Sequence, residues 1–108
     1  MKELQTSNEW HDLLEQSKEA PLFILKHSTT CPVSAAAYRE FEAFATDLPK
    51  YFIKIQDNRA LSNEIESDLG IRHESPQLFL LKDGQGLWQA THYAISKSKI
   101  SKAVEEYV

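Results

Sequence analysis

The feature that most constrains this chain is an apolar segment that leads, through a short polar link, to the only cysteine. Residues 22–25 contain no polar side chain, which is typical of a central strand buried on both faces. Beyond Cys31, apolar residues recur at helical spacing as far as about Leu48, and Pro49 follows. The sequence therefore predicts a strand, a loop and a long helix, with Cys31 at the junction between loop and helix.

The residue after the cysteine also indicates that Cys31 lies directly before the helix. Proline suits the first helical position, because its missing N–H would have no partner there, and Pro32 therefore makes Cys31 the capping residue. The N–H groups of Val33 and Ser34 would then face the sulfur, and together with the positive helix end they favour the thiolate form. Polar neighbours such as Thr30 argue against burial. We therefore predict a reactive thiol rather than a small buried hydrophobe.

The remaining segments predict an α/β protein. In chain order they comprise a helix opening with the capping box Thr6 and Glu9, the central strand, the cysteine helix, a strand at 51–56, a helix at 58–69 ended by Gly70, a strand at 77–82, a turn at 83–86, a strand at 87–93 and a helix at 96–107. Strands joined through a helix lie parallel, whereas the turn makes the last pair antiparallel. We expect a single domain over residues 1–108 with a mixed four-stranded sheet and helices on both faces.

Composition excludes several classes of function. The chain has 12 basic and 16 acidic residues, a net charge of -4, which argues against nucleic acid and anionic membranes as partners. No apolar run approaches the ~20 residues of a membrane span, and the first five residues lack a signal-peptide core. One cysteine excludes an internal disulfide, and no cysteine or histidine cluster predicts a metal site. We expect a cytoplasmic monomer, where thiols stay reduced.

In element order and motif, the chain resembles the thioredoxin-fold proteins. Cys31 and Ser34 occupy the places of the two cysteines of that superfamily, so that a serine stands where the resolving cysteine would be. Ser75 and Pro76 occupy the place of the cis-proline segment, whose first residue pairs its backbone with a bound substrate. A phosphatase loop of the Cys-x5-Arg type is excluded, because Ala37 stands where the arginine is required.

A closer resemblance is to the monothiol bacilliredoxins of low-GC Gram-positive bacteria, and it is carried by the motifs Thr30-Cys31-Pro32-Val33-Ser34 and His73-Glu74-Ser75-Pro76-Gln77. This resemblance implies a thiol–disulfide oxidoreductase that removes bacillithiol, a small cytosolic thiol, from mixed disulfides on oxidised client proteins. It also implies that Cys31 is the nucleophile, that Thr30, Ser75 and Pro76 bind substrate, and that no cofactor is bound. Bacillithiol would be the co-substrate, and a small thiol or a reductase the electron donor.

Several alternatives stay open at this level. The Ser34 hydroxyl could contact the thiolate or be an ordinary first-turn serine; since it cannot attack a mixed disulfide, an external thiol must resolve the adduct. His73 and Glu74 fit either a substrate contact or a solvated loop, and His27 fits a polar strand end better than a proton shuttle. Two other functions fit the same thiol: an iron–sulfur scaffold with a small-thiol co-ligand, and a redox-sensing adaptor.

Overall fold

In the computed structural model, which describes residues 1–108, a mixed sheet carries helices on both faces. The strands are β1 (Lys2–Glu3), β2 (Leu22–His27), β3 (Lys50–Lys54), β4 (Gln77–Lys82) and β5 (Gln85–Thr91), and the helices are α1 (Ser7–Gln16), α2 (Pro32–Ala43), α3 (Arg59–Leu69) and α4 (Lys97–Tyr107), with single 3-10 turns at Ile55–Asp57 and His92–Ala94. The strand order is β1-β3-β2-β4-β5. Strands β1, β3 and β2 are parallel, whereas β4 is antiparallel to both β2 and β5.

The predicted mixed α/β sheet is confirmed, but it has five strands rather than four. The additional strand, Lys2–Glu3, pairs with Tyr51 and Phe52 of β3 at one edge of the sheet. The N–H of Leu4 then donates to the carbonyl of Phe52 at 2.8 Å. A two-residue strand is too short to show an alternating pattern, so its pairing with β3 is visible only in the folded chain.

Helix α2 is shorter than predicted and ends at Ala43 rather than near Leu48. Phe44 leaves the helix with an extended backbone (ψ 116°), which lets its side chain and that of Leu48 pack against the core. The ammonium group of Lys50 donates to the carbonyls of Phe41 at 2.9 Å and Phe44 at 2.8 Å. The ammonium group thus donates to terminal carbonyls that would otherwise accept N–H groups of a further helical turn.

Strand β2 lies in the middle of the molecule, and residues 22–25 are at most 1% exposed. Its side chains alternate between two apolar clusters, which explains why the strand shows no polar residue before Lys26. The cluster beneath α1 and α3 includes Trp10, Leu13, Ile24, Leu61 and Ile65. The cluster beneath α2 and α4 includes Phe23, Leu25, Ala37, Phe41 and Ile100. Strand β2 thus contributes side chains to the apolar core on both faces of the sheet.

The local signals for helix ends behave as predicted. Thr6 and Glu9 form the complete capping box of α1, in which each side chain accepts a backbone N–H of the other residue. Gly70 ends α3 with φ +66°, a left-handed conformation that favours glycine because a Cβ would be strained there. The helices of this chain are too short or too polar to cross a lipid bilayer.

Candidate active site

Cys31 is the N-terminal capping residue of α2. Its backbone is extended (φ -103°, ψ 124°), its carbonyl accepts the N–H of Ala35 at 3.0 Å, and Pro32 is the first helical residue. The thiol is partly exposed, and its side chain makes no capping hydrogen bond, so the predicted contact of the sulfur with the N–H groups of Val33 and Ser34 is not formed. The sulfur is therefore free for chemistry at the positive end of a 12-residue helix.

Ser34 lies one turn further along α2 and is fully buried. Its hydroxyl oxygen accepts the backbone N–H of Ser28 at 2.8 Å and lies 2.8 Å from Nδ1 of His27. The hydroxyl thus ties the first turn of α2 to the end of β2 and to the loop that follows it. These two contacts, and none with Cys31, account for the hydrogen bonds of the Ser34 side chain.

His27 ends β2 and is half-buried, with its ring 4.8 Å from that of Tyr38. Burial lowers the pKa of His27 below its ordinary value, and the positive charge of Lys54 lowers it further. A neutral imidazole with its proton on Nε2 can accept the Ser34 hydroxyl hydrogen on Nδ1. This arrangement favours a structural role for His27 in the loop rather than a charge beside the sulfur.

Gln56, which the sequence analysis did not single out, holds the loop ahead of the cysteine. Its amide oxygen accepts the N–H of Thr29 at 3.0 Å, and its amide nitrogen donates to the hydroxyls of Ser28 at 2.6 Å and Thr30 at 3.0 Å. Three consecutive loop residues are therefore bound by one side chain from the turn after β3. No local pattern marks this glutamine, because the parallel pairing of β3 with β2 is what brings it to the loop.

The cis-proline segment and the loop that contains Cys31 lie at the same end of the central strands. Lys26 near the end of β2 lies opposite Gln77 at the start of β4, so the loop containing Cys31 and the segment ahead of β4 are neighbours. The Ser75–Pro76 peptide bond is cis, as the resemblance implies, and Pro76 is buried. The Ser75 hydroxyl is buried without a hydrogen-bond partner.

The fully buried side chain of Gln77 binds the loop ahead of Pro76. Its amide oxygen accepts the N–H of Glu74 at 3.1 Å, and its amide nitrogen donates to the carbonyl of Arg72 at 3.0 Å. Thr30, in the facing loop, is exposed beside Cys31. The structure thus brings the candidate nucleophile and the candidate substrate-binding residues to one edge of the sheet.

A buried lysine lies beneath this edge, and the sequence analysis did not single it out either. Lys26 is 0% exposed, and its ammonium group donates to the carbonyl of Ser62 and to Nδ1 of His73, each at 3.1 Å. Burial lowers the pKa of Lys26 to about 8, and the negative charge of Glu66 only partly opposes this shift. The Nδ1 atom of His73 is therefore turned toward the buried lysine.

Ser34→Ala is expected to lower the free energy of unfolding by about 1–2 kcal/mol, because the N–H of Ser28 and the ring of His27 lose their partner. Urea denaturation measures this difference. Ser101→Ala on α4 is the matched control, since that side chain makes no hydrogen bond in the structure, and its effect should stay within about 0.5 kcal/mol. Equal stabilities of the two variants would show that the Ser34 contacts contribute nothing.

The depressed pKa of Lys26 makes stability depend on pH. The folded lysine loses its proton near pH 8 and the unfolded one near 10.5, so between these values the unfolded state binds more protons and the free energy of unfolding rises with pH. Relative to Lys26→Met, the wild type should gain roughly 1–3 kcal/mol across that window and only about a few tenths of a kcal/mol between pH 7 and 8. Denaturation at several pH values measures the slope; the exposed control Lys102→Met should leave it intact.

These features define a thioredoxin-fold protein with a single thiol at a helix N-terminus. A thioredoxin from Fasciola hepatica superposes on it with a TM-score of 0.80 over the full length of both chains, at 14% identity. A thioredoxin variant from Halobacterium salinarum gives a TM-score of 0.77 at 18% identity, over 98% of this chain and 88% of that one. At such low identity these similarities establish the fold alone.

Two further comparisons are more specific. The family model of the monothiol bacilliredoxin BrxC matches residues 2–100. A solved thioredoxin-fold protein assigned as an oxidoreductase is 34% identical, with a TM-score of 0.87, over 95% of this chain and 92% of that one. The chain therefore belongs to the monothiol bacilliredoxin BrxC family of thioredoxin-fold oxidoreductases.

Proposed function

We propose that this protein is a monothiol oxidoreductase of the Cys-x-x-Ser class that removes bacillithiol from mixed disulfides on client proteins in the cytoplasm. The observation that carries the proposal is the position of Cys31, a partly exposed thiol at the N-terminus of α2, beside the cis-proline segment that starts β4. Membership of the bacilliredoxin family supports bacillithiol as the small thiol.

The reaction begins with attack of the Cys31 thiolate on the bacillithiol sulfur of the mixed disulfide. A new disulfide forms between Cys31 and bacillithiol, the client sulfur leaves as a thiolate, and it takes a proton from solvent. The place of the sulfur at the positive end of α2 supports this step, because a helix N-terminus favours negative charge. The client is thereby reduced, and the protein carries the adduct.

The cis-proline segment would hold the substrate in line for this attack. In this proposal the backbone of Ser75 pairs with the chain that carries the mixed disulfide, and Pro76 sets the direction of that backbone. Thr30, which is exposed, precedes Cys31 and is held by Gln56, contacts the same substrate in this proposal. A fixed orientation of the three sulfur atoms is what makes exchange fast, since attack must occur along the disulfide axis.

Resolution of the adduct requires a second thiol. Ser34 cannot attack the disulfide, and its hydroxyl is already bonded to Ser28 and close to His27. An external small thiol or a partner reductase therefore attacks the bacillithiol sulfur, forms a new disulfide with it and releases the Cys31 thiolate. The catalyst is then ready for another client, with no bound cofactor in the cycle.

Intact-mass analysis tests the proposal directly. The reduced protein is mixed with a client peptide that carries a bacillithiol adduct on its cysteine, and we expect the adduct mass to move to the protein while the peptide returns as a free thiol. Alkylation of Cys31 by iodoacetamide in a parallel sample shows that the thiol is accessible. If Cys31 is alkylated but neither mass changes in the exchange, the proposed function is wrong.

A further inference from the structure

A small pocket lies between α3 and the loop that leads to the cis-proline. Its volume is about 160 Å³, and its lining residues are Ile55, Arg59, Ser62, Asn63 and His73. This is room for several waters or for a carboxylate with a short carbon chain. Aspartate and glutamate are absent from the lining, although acidic residues outnumber basic ones in the chain.

The buried Lys26 contacts two of the residues that line this pocket. The Lys26 ammonium group donates to Ser62 and His73, which are both lining residues, and it forms no ion pair. The carboxylate of Glu66 is engaged elsewhere, because it accepts the backbone N–H of His73. With a pKa of about 8 the lysine is largely protonated at neutral pH. Because Glu66 compensates the buried charge only in part, a further anion near Lys26 would be stabilised.

A second unpaired cation stands at the rim. Arg59, the first residue of α3, is exposed and forms neither an ion pair nor a side-chain hydrogen bond in the structure. Its guanidinium group can bind a carboxylate through two parallel hydrogen bonds. The lining of the pocket therefore combines the exposed cation of Arg59 with the polar residues Ser62 and Asn63, and the buried cation of Lys26 contacts that lining from the core.

Two residues that line the pocket are close in sequence to residues that hold or form the candidate active site. Ile55 precedes Gln56, which binds the loop ahead of Cys31, and His73 lies two residues before Ser75. We propose that this pocket is an anion site that holds a carboxylate group of the small-thiol co-substrate while its sulfur is at Cys31. The identity of the ligand rests on the proposed function, whereas binding of a carboxylate does not.

Titration of the reduced protein with succinate, followed through backbone amide chemical shifts, tests the site without any thiol chemistry. We expect saturable shifts at Arg59, Ser62, Asn63 and His73, and a loss of affinity of about fivefold to tenfold in Arg59→Gln. Arg39→Gln is the matched control, because it removes one exposed arginine from α2 and should leave the affinity unchanged. Absent saturation, or equal weakening in both variants, overturns the proposal.

Two further arms identify the ligand. Tighter binding of inorganic phosphate than of succinate would replace the carboxylate assignment with a phosphate site and contradict the proposal. Client peptides blocked with mercaptosuccinate should react faster than those blocked with mercaptoethanol, and Arg59→Gln should remove that preference. If succinate binds but the client peptide keeps its bacillithiol adduct, the proposed function fails and the anion site stands. If both peptides react equally and succinate does not bind, only the anion site fails.

Discussion

Cys31→Ser is expected to abolish transfer of bacillithiol from a client, with a fall in rate of more than about 1,000-fold, because a hydroxyl at neutral pH is not the nucleophile that a thiolate is. The chain has no other cysteine that could take over the reaction. Intact-mass analysis of protein and client peptide after mixing measures the loss. The variant should acquire no adduct, and the client should keep its own.

The control for this variant is its folding. The Cys31 side chain is partly exposed and makes no capping hydrogen bond, so serine at this position should leave the thermal unfolding midpoint nearly unchanged or slightly raised, since serine caps helices well. A fall in transfer with intact folding then reports on chemistry alone. Transfer by Cys31→Ser above the uncatalysed background would mean that another group attacks the disulfide, and the mechanism would be wrong.

Ser34→Cys is expected to convert the monothiol site into one that resolves its own adduct. A cysteine here lies in the first turn of the helix that Cys31 caps, where its thiolate can attack the Cys31 sulfur and release bacillithiol. On oxidation the intact mass should fall by two hydrogens, and a protein adduct of bacillithiol should be short-lived. The reduced variant should be about 1–2 kcal/mol less stable, because the contacts of the Ser34 hydroxyl are lost.

Ala36→Cys is the matched control for this second prediction. It also introduces one cysteine into the first turns of α2, but five residues after Cys31, a spacing that places it on a different side of the helix from the thiol. It should therefore form no internal disulfide and should leave the adduct on Cys31 as long-lived as in the wild type. Similar loss of the adduct in both variants would indicate that resolution there comes from solution thiols rather than from position 34.

Local signals predicted most of the elements. The apolar run at residues 22–25 identified a central strand because burial on both faces leaves no room for polar alternation. Pro32 placed Cys31 at a helix N-terminus, and Gly70 ended α3, because each residue has backbone preferences that act within one turn. The predictions were wrong where a partner further along the chain determines the structure. Strand β1 forms only by pairing with β3, and α2 ends early where Lys50 binds its last carbonyls.

The sequence by itself determined the α/β class, the position of the thiol at the start of a helix and the absence of an internal resolving cysteine. These follow from residue types and short spacings, which act before the chain is packed. Only the tertiary structure decided that Gln56 binds the cysteine loop and that the buried Lys26 donates to His73. The first contact spans 28 positions of the sequence and the second spans 47. No local pattern encodes them, because sheet pairing alone brings the segments together.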